Sequence, residues 1–238
     1  MDKLKLPIQN DYTYSPVSQP KWLAIFVHWL TSSKDEEIFL QWEEFFNEWW
    51  FSILRINLYW ELDWERKLNE VSLSDHIDDV NSVINYCSLN WFNQIFLVWH
   101  SYGCVVNLYV DLSKVRGVIM IDPSMWWKEL MQDVYEDGEW GYYIDWWDGY
   151  HHQIGEKLYK DFLIPTENYL EKMSNITTPV KIFWAENWLA NNAKQYYEVA
   201  NQPKELNIIP WANHRFDGWW MDEVINESLK WLNRIVIW

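Results

Sequence analysis

Six short apolar runs constrain the fold more than any other feature. They are Leu23–Val27 (LAIFV), Ser52–Leu58 (SILRINL), Ile95–Val98 (IFLV), Gly117–Ile121 (GVIMI), Val180–Phe183 (VKIF) and Leu206–Ile209 (LNII). The first five fit strands buried on both faces of a parallel sheet, and Leu206–Ile209 would be the last strand. Segments with helical period lie between and after them. Asp75–Cys87 places Ile77, Val80, Ile84 and Cys87 on one face, and Met221–Leu232 does the same with Val224, Ile225, Ser228 and Leu232. Strands alternating with helices imply right-handed βαβ units. The expected fold class is α/β, with a mostly parallel central sheet and helices on both of its faces. The stretch from Ser124 to Asn175 breaks the rhythm, with Gly138, Gly141, Gly149 and Gly155 among many aromatics and acids. It reads as a small lid insertion over the C-terminal edge of the sheet, because loops at that edge usually carry sites. Without repeats or a linker, residues 1–238 are expected to form a single domain.

Composition narrows the partners. The formal net charge of -16 disfavours nucleic acid and anionic membrane surfaces. No apolar run is long enough to span a bilayer. Met1–Pro20 is polar and lacks the apolar core of a signal peptide. Cys87 and Cys104 are too few for a disulfide framework and read as buried thiols, which fits a reducing, cytoplasmic setting.

Three motifs carry chemistry. Phe96-Leu97-Val98-Trp99-His100-Ser101-Tyr102-Gly103 runs from a strand into a turn and then a helix. Trp211-Ala212-Asn213-His214-Arg215-Phe216 follows the last strand, and Phe26-Val27-His28-Trp29-Leu30 follows the first. Together they resemble the α/β-hydrolase superfamily of serine hydrolases over about Lys21 to Leu232. The first resembles the Gly-x-Ser-x-Gly nucleophile elbow, with Trp99 at the first Gly position. The resemblance implies Ser101 as nucleophile and His214 as general base. It implies an oxyanion hole from the backbone N–H groups of Leu30 and Tyr102, with His28 as a structural residue beside the sheet edge. Within the superfamily the chain looks most similar to small-lid acyl esterases of the cinnamoyl and feruloyl esterase type.

The triad acid has three candidates. The family usually places Asp after the penultimate strand, where this chain reads Phe183-Trp184-Ala185-Glu186-Asn187, with Asn187 at the Asp position. Glu186 serves if that loop is displaced. Asp122, at the end of the Gly117–Ile121 strand, is the other option, since some members take their acid there. Glu186 is the favoured reading.

The chain has 21 Trp and 7 Gly, against roughly 17 Gly at the usual share. Trp29, Trp99, Trp184 and Trp211 occupy family Gly positions, and Trp60 and Trp91 fall where a loop Gly is expected. Trp231 fits a true helix Trp. Some bacterial lineages read UGA as Gly, whereas another code reads it as Trp, so many of these Trp are expected to stand for Gly. Overpacking costs about 1–3 kcal/mol per site, so several such sites would exceed a typical margin of roughly 5–15 kcal/mol. The chain carrying Trp at all of them is therefore expected to fold poorly.

The resemblance implies hydrolysis of a carboxylic ester or related small-molecule acyl substrate through an acyl-enzyme. It implies no metal and no organic cofactor. The alternative is a catalytically inactive hydrolase fold used for binding, suggested by Asn187 and Trp99. A third reading, an aromatic carbohydrate-binding surface, would rest on Trp126, Trp127, Trp146 and Trp147.

Overall fold

The computed structural model describes residues 5–59, 64–125, 134–137, 141–145, 151–187 and 192–236. Trp60, Gly138 and Gly149 lie outside the described residues, as do the four aromatics of the carbohydrate reading.

A seven-stranded sheet forms the centre, built from β1 (Tyr12–Ser15), β2 (Trp22–Val27), β3 (Phe51–Ile56), β4 (Ile95–His100), β5 (Val115–Ile121), β9 (Val180–Ala185) and β10 (Lys204–Ile209). Its order is β1-β3-β2-β4-β5-β9-β10. Every neighbour pair is parallel except β1 with β3, where Tyr12 lies opposite Ile56. The edge strand β1 has no long apolar run, which is why the sequence pattern missed it.

The alternation of side chains divides the core in two. Leu23, Ile25 and Val27 of β2 join Ile95, Leu97 and Trp99 of β4 on one face. Ala24 and Phe26 join Phe96 and Val98 on the other. The first face is covered by α2 (Leu73–Asn90), α3 (Tyr102–Asn107), α5 (Thr166–Asn175) and α6 (Asn192–Val199), which contribute Val80, Val105, Met173 and Tyr196. The second is covered by α1 (Glu37–Glu48) and α7 (Trp219–Val236), through Phe39, Trp42, Val224 and Trp231. Helix α2 starts on a reciprocal cap: Ser72 Oγ accepts the Asp75 N–H at 3.3 Å, and Asp75 Oδ2 accepts the Ser72 N–H at 2.9 Å. On α7 the buried set Val224, Ile225, Ser228 and Leu232 is the face expected from its period. Trp231 is buried there beside Gly117, whose Cβ, if present, would lie 3.0 Å from the indole. This tryptophan has a place made for it.

The 124–175 region contains elements that the sequence did not resolve. A separate antiparallel sheet runs β6 (Val134–Asp137), β7 (Gly141–Asp145), β8 (His151–Ile154), followed by α4 (Glu156–Asp161) and α5. It is tied to the segment leading into α2. A Cβ at Gly155 would lie 2.2 Å from the Asn69 carbonyl oxygen, and Asp161 Oδ2 accepts the Leu73 N–H at 2.7 Å. Among the described residues no helix is long and apolar enough to cross a membrane.

Candidate active site

The parallel strands end at one edge, and the motif residues leave from it. Strand β4 delivers Ser101, whose φ of 50° and ψ of -108° lie outside the regions an L-residue normally occupies. Three backbone bonds hold this turn. The Ser101 N–H donates to the Ile121 carbonyl at 2.9 Å, and the Ser101 carbonyl accepts from Cys104 N–H at 3.0 Å and from Ser124 N–H at 3.5 Å. Strain of this kind persists only where the surroundings over-determine it, and it gathers at functional sites. Gly103 explains how the turn closes: a Cβ there would sit 2.6 Å from the Val27 carbonyl oxygen. The helix start thus runs against the end of β2, as the elbow motif demands.

Asp122 directly follows strand β5, next to the elbow because His100 pairs with Ile121 across β4 and β5. Asp122 also has positive φ, at 41°. Its Oδ1 accepts the Ala185 N–H at 3.2 Å, and its Oδ2 lies 2.5 Å from Nδ1 of His214. His214 arrives from the loop after β10. The carboxylate at this imidazole is therefore Asp122, which corrects the preference for Glu186. Glu186 Oε2 instead accepts the Trp211 N–H at 3.2 Å. Asn187 Nδ2 donates to the Trp211 carbonyl at 3.0 Å, so both residues brace the loop before His214 without reaching its ring.

Burial sets the charge state of the pair. It pushes the Asp122 carboxyl up to about 7, against the opposing pull of the Ala185 N–H and His100. It holds His214 well below the usual imidazole value, with further lowering by His100 and partial compensation by Glu36. At neutral pH His214 is neutral. Nδ1–H faces Asp122, and Nε2 retains a lone pair to accept a proton.

The loop after β2 carries Leu30. Tyr59 clamps it: its hydroxyl accepts the Thr31 N–H at 2.5 Å and donates to the Trp29 carbonyl at 3.3 Å. His28 lies beneath, with Nδ1 on the Trp29 carbonyl at 2.7 Å and Nε2 accepting the Leu58 N–H at 3.0 Å. That is the structural role expected of it. Tyr102 directs its hydroxyl into the core, 2.5 Å from Nδ1 of His76.

Two buried residues of the site were not identified from the sequence. Glu36 Oε1 accepts the Trp29 N–H at 2.7 Å, and Glu36 Oε2 lies 2.9 Å from Nδ1 of His100. A cleft of about 200 Å³ opens beside them, lined in part by Trp29, Ser32, Arg215 and Asp217. The available signal for Glu36 was its place just before α1, where a short capping side chain is the common choice. Among the described residues no three His, Cys, Asp or Glu side chains gather as metal ligands.

The tryptophans at family Gly positions meet different fates. Trp29 stacks on His214 with ring centroids 5.3 Å apart and planes 6° apart. Trp99 is fully buried, and its indole N–H has no hydrogen-bond partner. The Trp184 indole N–H is likewise buried without a partner. Trp211 has φ of 62° and is 71% exposed, and Trp50, which the motif comparison did not single out, has φ of 69°. Trp91 ends α2 at φ of -147°, outside the left-handed region.

No protein-family profile matches the chain, and no curated protein does. Solved structures do. Est1E from Butyrivibrio proteoclasticus is 16% identical with a TM-score of 0.73, covering 95% of this chain and 94% of its own. The same protein with ferulic acid bound matches at 18% identity and a TM-score of 0.70, over 92% and 94% of the two chains. The monoacylglycerol lipase of Paleococcus ferrophilus is 14% identical with a TM-score of 0.75, over 96% and 100%. At such identities the likeness establishes the fold, and the fold is that of the α/β-hydrolases.

Proposed function

We propose that this chain is a serine hydrolase cleaving a carboxylic ester or related acyl substrate through an acyl-enzyme. One observation carries the reading. Ser101 is held in a strained strand-to-helix turn at the same sheet edge as a buried His214–Asp122 pair. Ser101 Oγ attacks the acyl carbon while its proton passes to Nε2 of His214. The Leu30 and Tyr102 N–H groups receive the oxyanion, each contributing several kcal/mol at most. Collapse breaks the C–O bond, and His214 returns the proton to the departing alcohol. Water then repeats the sequence and frees the acid and Ser101. Asp122 keeps His214 in the tautomer this requires and stabilises the transient imidazolium.

The similarity to an esterase solved with ferulic acid supports an aryl-acyl ester as the first substrate class to try. The inactive-binder reading required loss of the acid, and Asp122 at His214 weighs against it. Labelling with a fluorophosphonate probe tests the assignment. Labelling is expected in the parent and absent in Ser101→Ala; labelling that survives the substitution overturns it.

A further inference from the structure

We propose that Glu36 and His100 form a buried ion pair that positions both halves of this site, resting on the serine-hydrolase reading above. His100 Nε2 lies 2.8 Å from the backbone carbonyl of His214, which only accepts, so Nε2 carries a hydrogen. His100 Nδ1 lies 2.9 Å from Oε2 of Glu36. The same carboxylate already accepts the Trp29 N–H through Oε1 at 2.7 Å, a short bond suited to an ionised acceptor. With acceptors on both sides, the ring donates twice, as an imidazolium. His28 provides the internal contrast. One of its nitrogens faces a carbonyl and the other faces an N–H, so it is a neutral ring.

The side chains of His100 and Glu36 are 1% and 4% exposed, so neither is solvated as a lone charge.

The connectivity gives the pair its role. Glu36 holds the N–H of Trp29, the residue before the Leu30 donor. His100 precedes Ser101 and holds the carbonyl of His214. A single chain of hydrogen bonds thus fixes the oxyanion loop, the elbow and the general base relative to one another. Glu36 also stands at the N-cap of α1 and makes no side-chain cap, so its carboxylate serves the site instead of the helix. Both are positioning residues.

The test uses ¹⁵N-imidazole-labelled protein. It is run on the chain as given and on the chain carrying Trp29→Gly, Trp99→Gly, Trp184→Gly and Trp211→Gly, which leaves every contact above in place. His100, assigned by His100→Asn, is expected to show hydrogens on both ring nitrogens and to lose one in Glu36→Gln. A single hydrogen on His100 in the parent overturns the ion pair. Turnover of 4-nitrophenyl acetate supplies the second readout. Glu36→Gln is expected to lower kcat about 10- to 100-fold with KM within about twofold. Unchanged kcat in a variant that only melts earlier overturns the positioning role. Ser101→Ala, run beside it, separates the two claims. If Ser101→Ala keeps turnover, the serine reading fails, and the hydrogen count on His100 alone decides the ion pair.

Discussion

The indole of Trp29 lies flat on the imidazole of His214, with centroids 5.3 Å apart, and the Arg215 guanidinium carbon sits 5.5 Å from the centroid of the same indole. A large ring therefore covers one face of the His214 imidazole. Trp29→Gly removes it and leaves the Trp29–Glu36 backbone bond untouched. Fluorophosphonate labelling of Ser101 is expected to speed up by about tenfold or more, a barrier change of about 1.4 kcal/mol. An unchanged rate would show that the indole does not obstruct the approach.

Trp211 and Trp50 offer a cleaner stability test, because both have positive φ and are exposed. A left-handed conformation costs a non-Gly residue about 1–2 kcal/mol. Trp211→Gly and Trp50→Gly are each expected to stabilise the chain by about 1 kcal/mol in urea melts. A matching genetic result is expected: UGA codons at 29, 99, 184 and 211. UGG at those positions would mean that the tryptophans are native.

Asp122→Asn should keep the fold while removing the charge behind His214. The equivalent change in the serine-protease triad lowers kcat about 10⁴-fold, and a loss of that order is expected here with an ester substrate. Glu186→Gln should stay within about twofold, because the Glu186 carboxylate accepts the Trp211 N–H and lies away from the His214 ring that Asp122 holds. The reverse ranking would return the acid to the β9 loop.

Gly103→Ala places a methyl 2.6 Å from the Val27 carbonyl oxygen. The obstacle is backbone, so the helix start or the end of β2 must shift. A destabilisation of about 1–3 kcal/mol is expected, together with slower labelling of Ser101. A variant of wild-type stability would show that the turn closes more loosely than its geometry indicates.

Acid should destabilise the fold. Burial lowers His28 and His214, and it lowers His76 to about 3, so all three bind protons more readily once unfolded. Their contribution is present above the unfolded value of about 6.5 and is lost as pH falls below it. Asp122, raised to about 7, has the opposite sign between its unfolded value and 7. Three groups outweigh one, so the urea midpoint is expected to drop between pH 7 and pH 5. His76→Asn should flatten that slope, and an unchanged slope would remove His76 from the account.

The sequence and structure agree where periodicity is strong. Five apolar runs became inner strands and both helical faces formed, because residues buried on two sides of a sheet leave a continuous signature, while Leu206–Ile209 became the edge strand β10, where Ile208 is exposed. Strand β1 was missed because its side chains are only half-buried and alternate little. The placing of Ser101 in the turn after β4 and of His214 in the loop after β10 was legible, because a tight turn and a loop after the last strand restrict the residues allowed there. The acid was not. Choosing among Asp122, Glu186 and Asn187 depends on which loop turns inward, and no local pattern encodes that. The role of Glu36 was not legible for the same reason, since its partners Trp29 and His100 meet it only in the folded chain.

Asp122 and His214 are separated by 92 residues. During synthesis from the N-terminus, the elbow and Asp122 emerge well before the base that would activate Ser101. Contacts this distant in sequence also close late in folding. If Ser101 is the nucleophile proposed above, a ribosome-bound chain displays it only in an inert form, and probe labelling becomes a timer for completion of the fold.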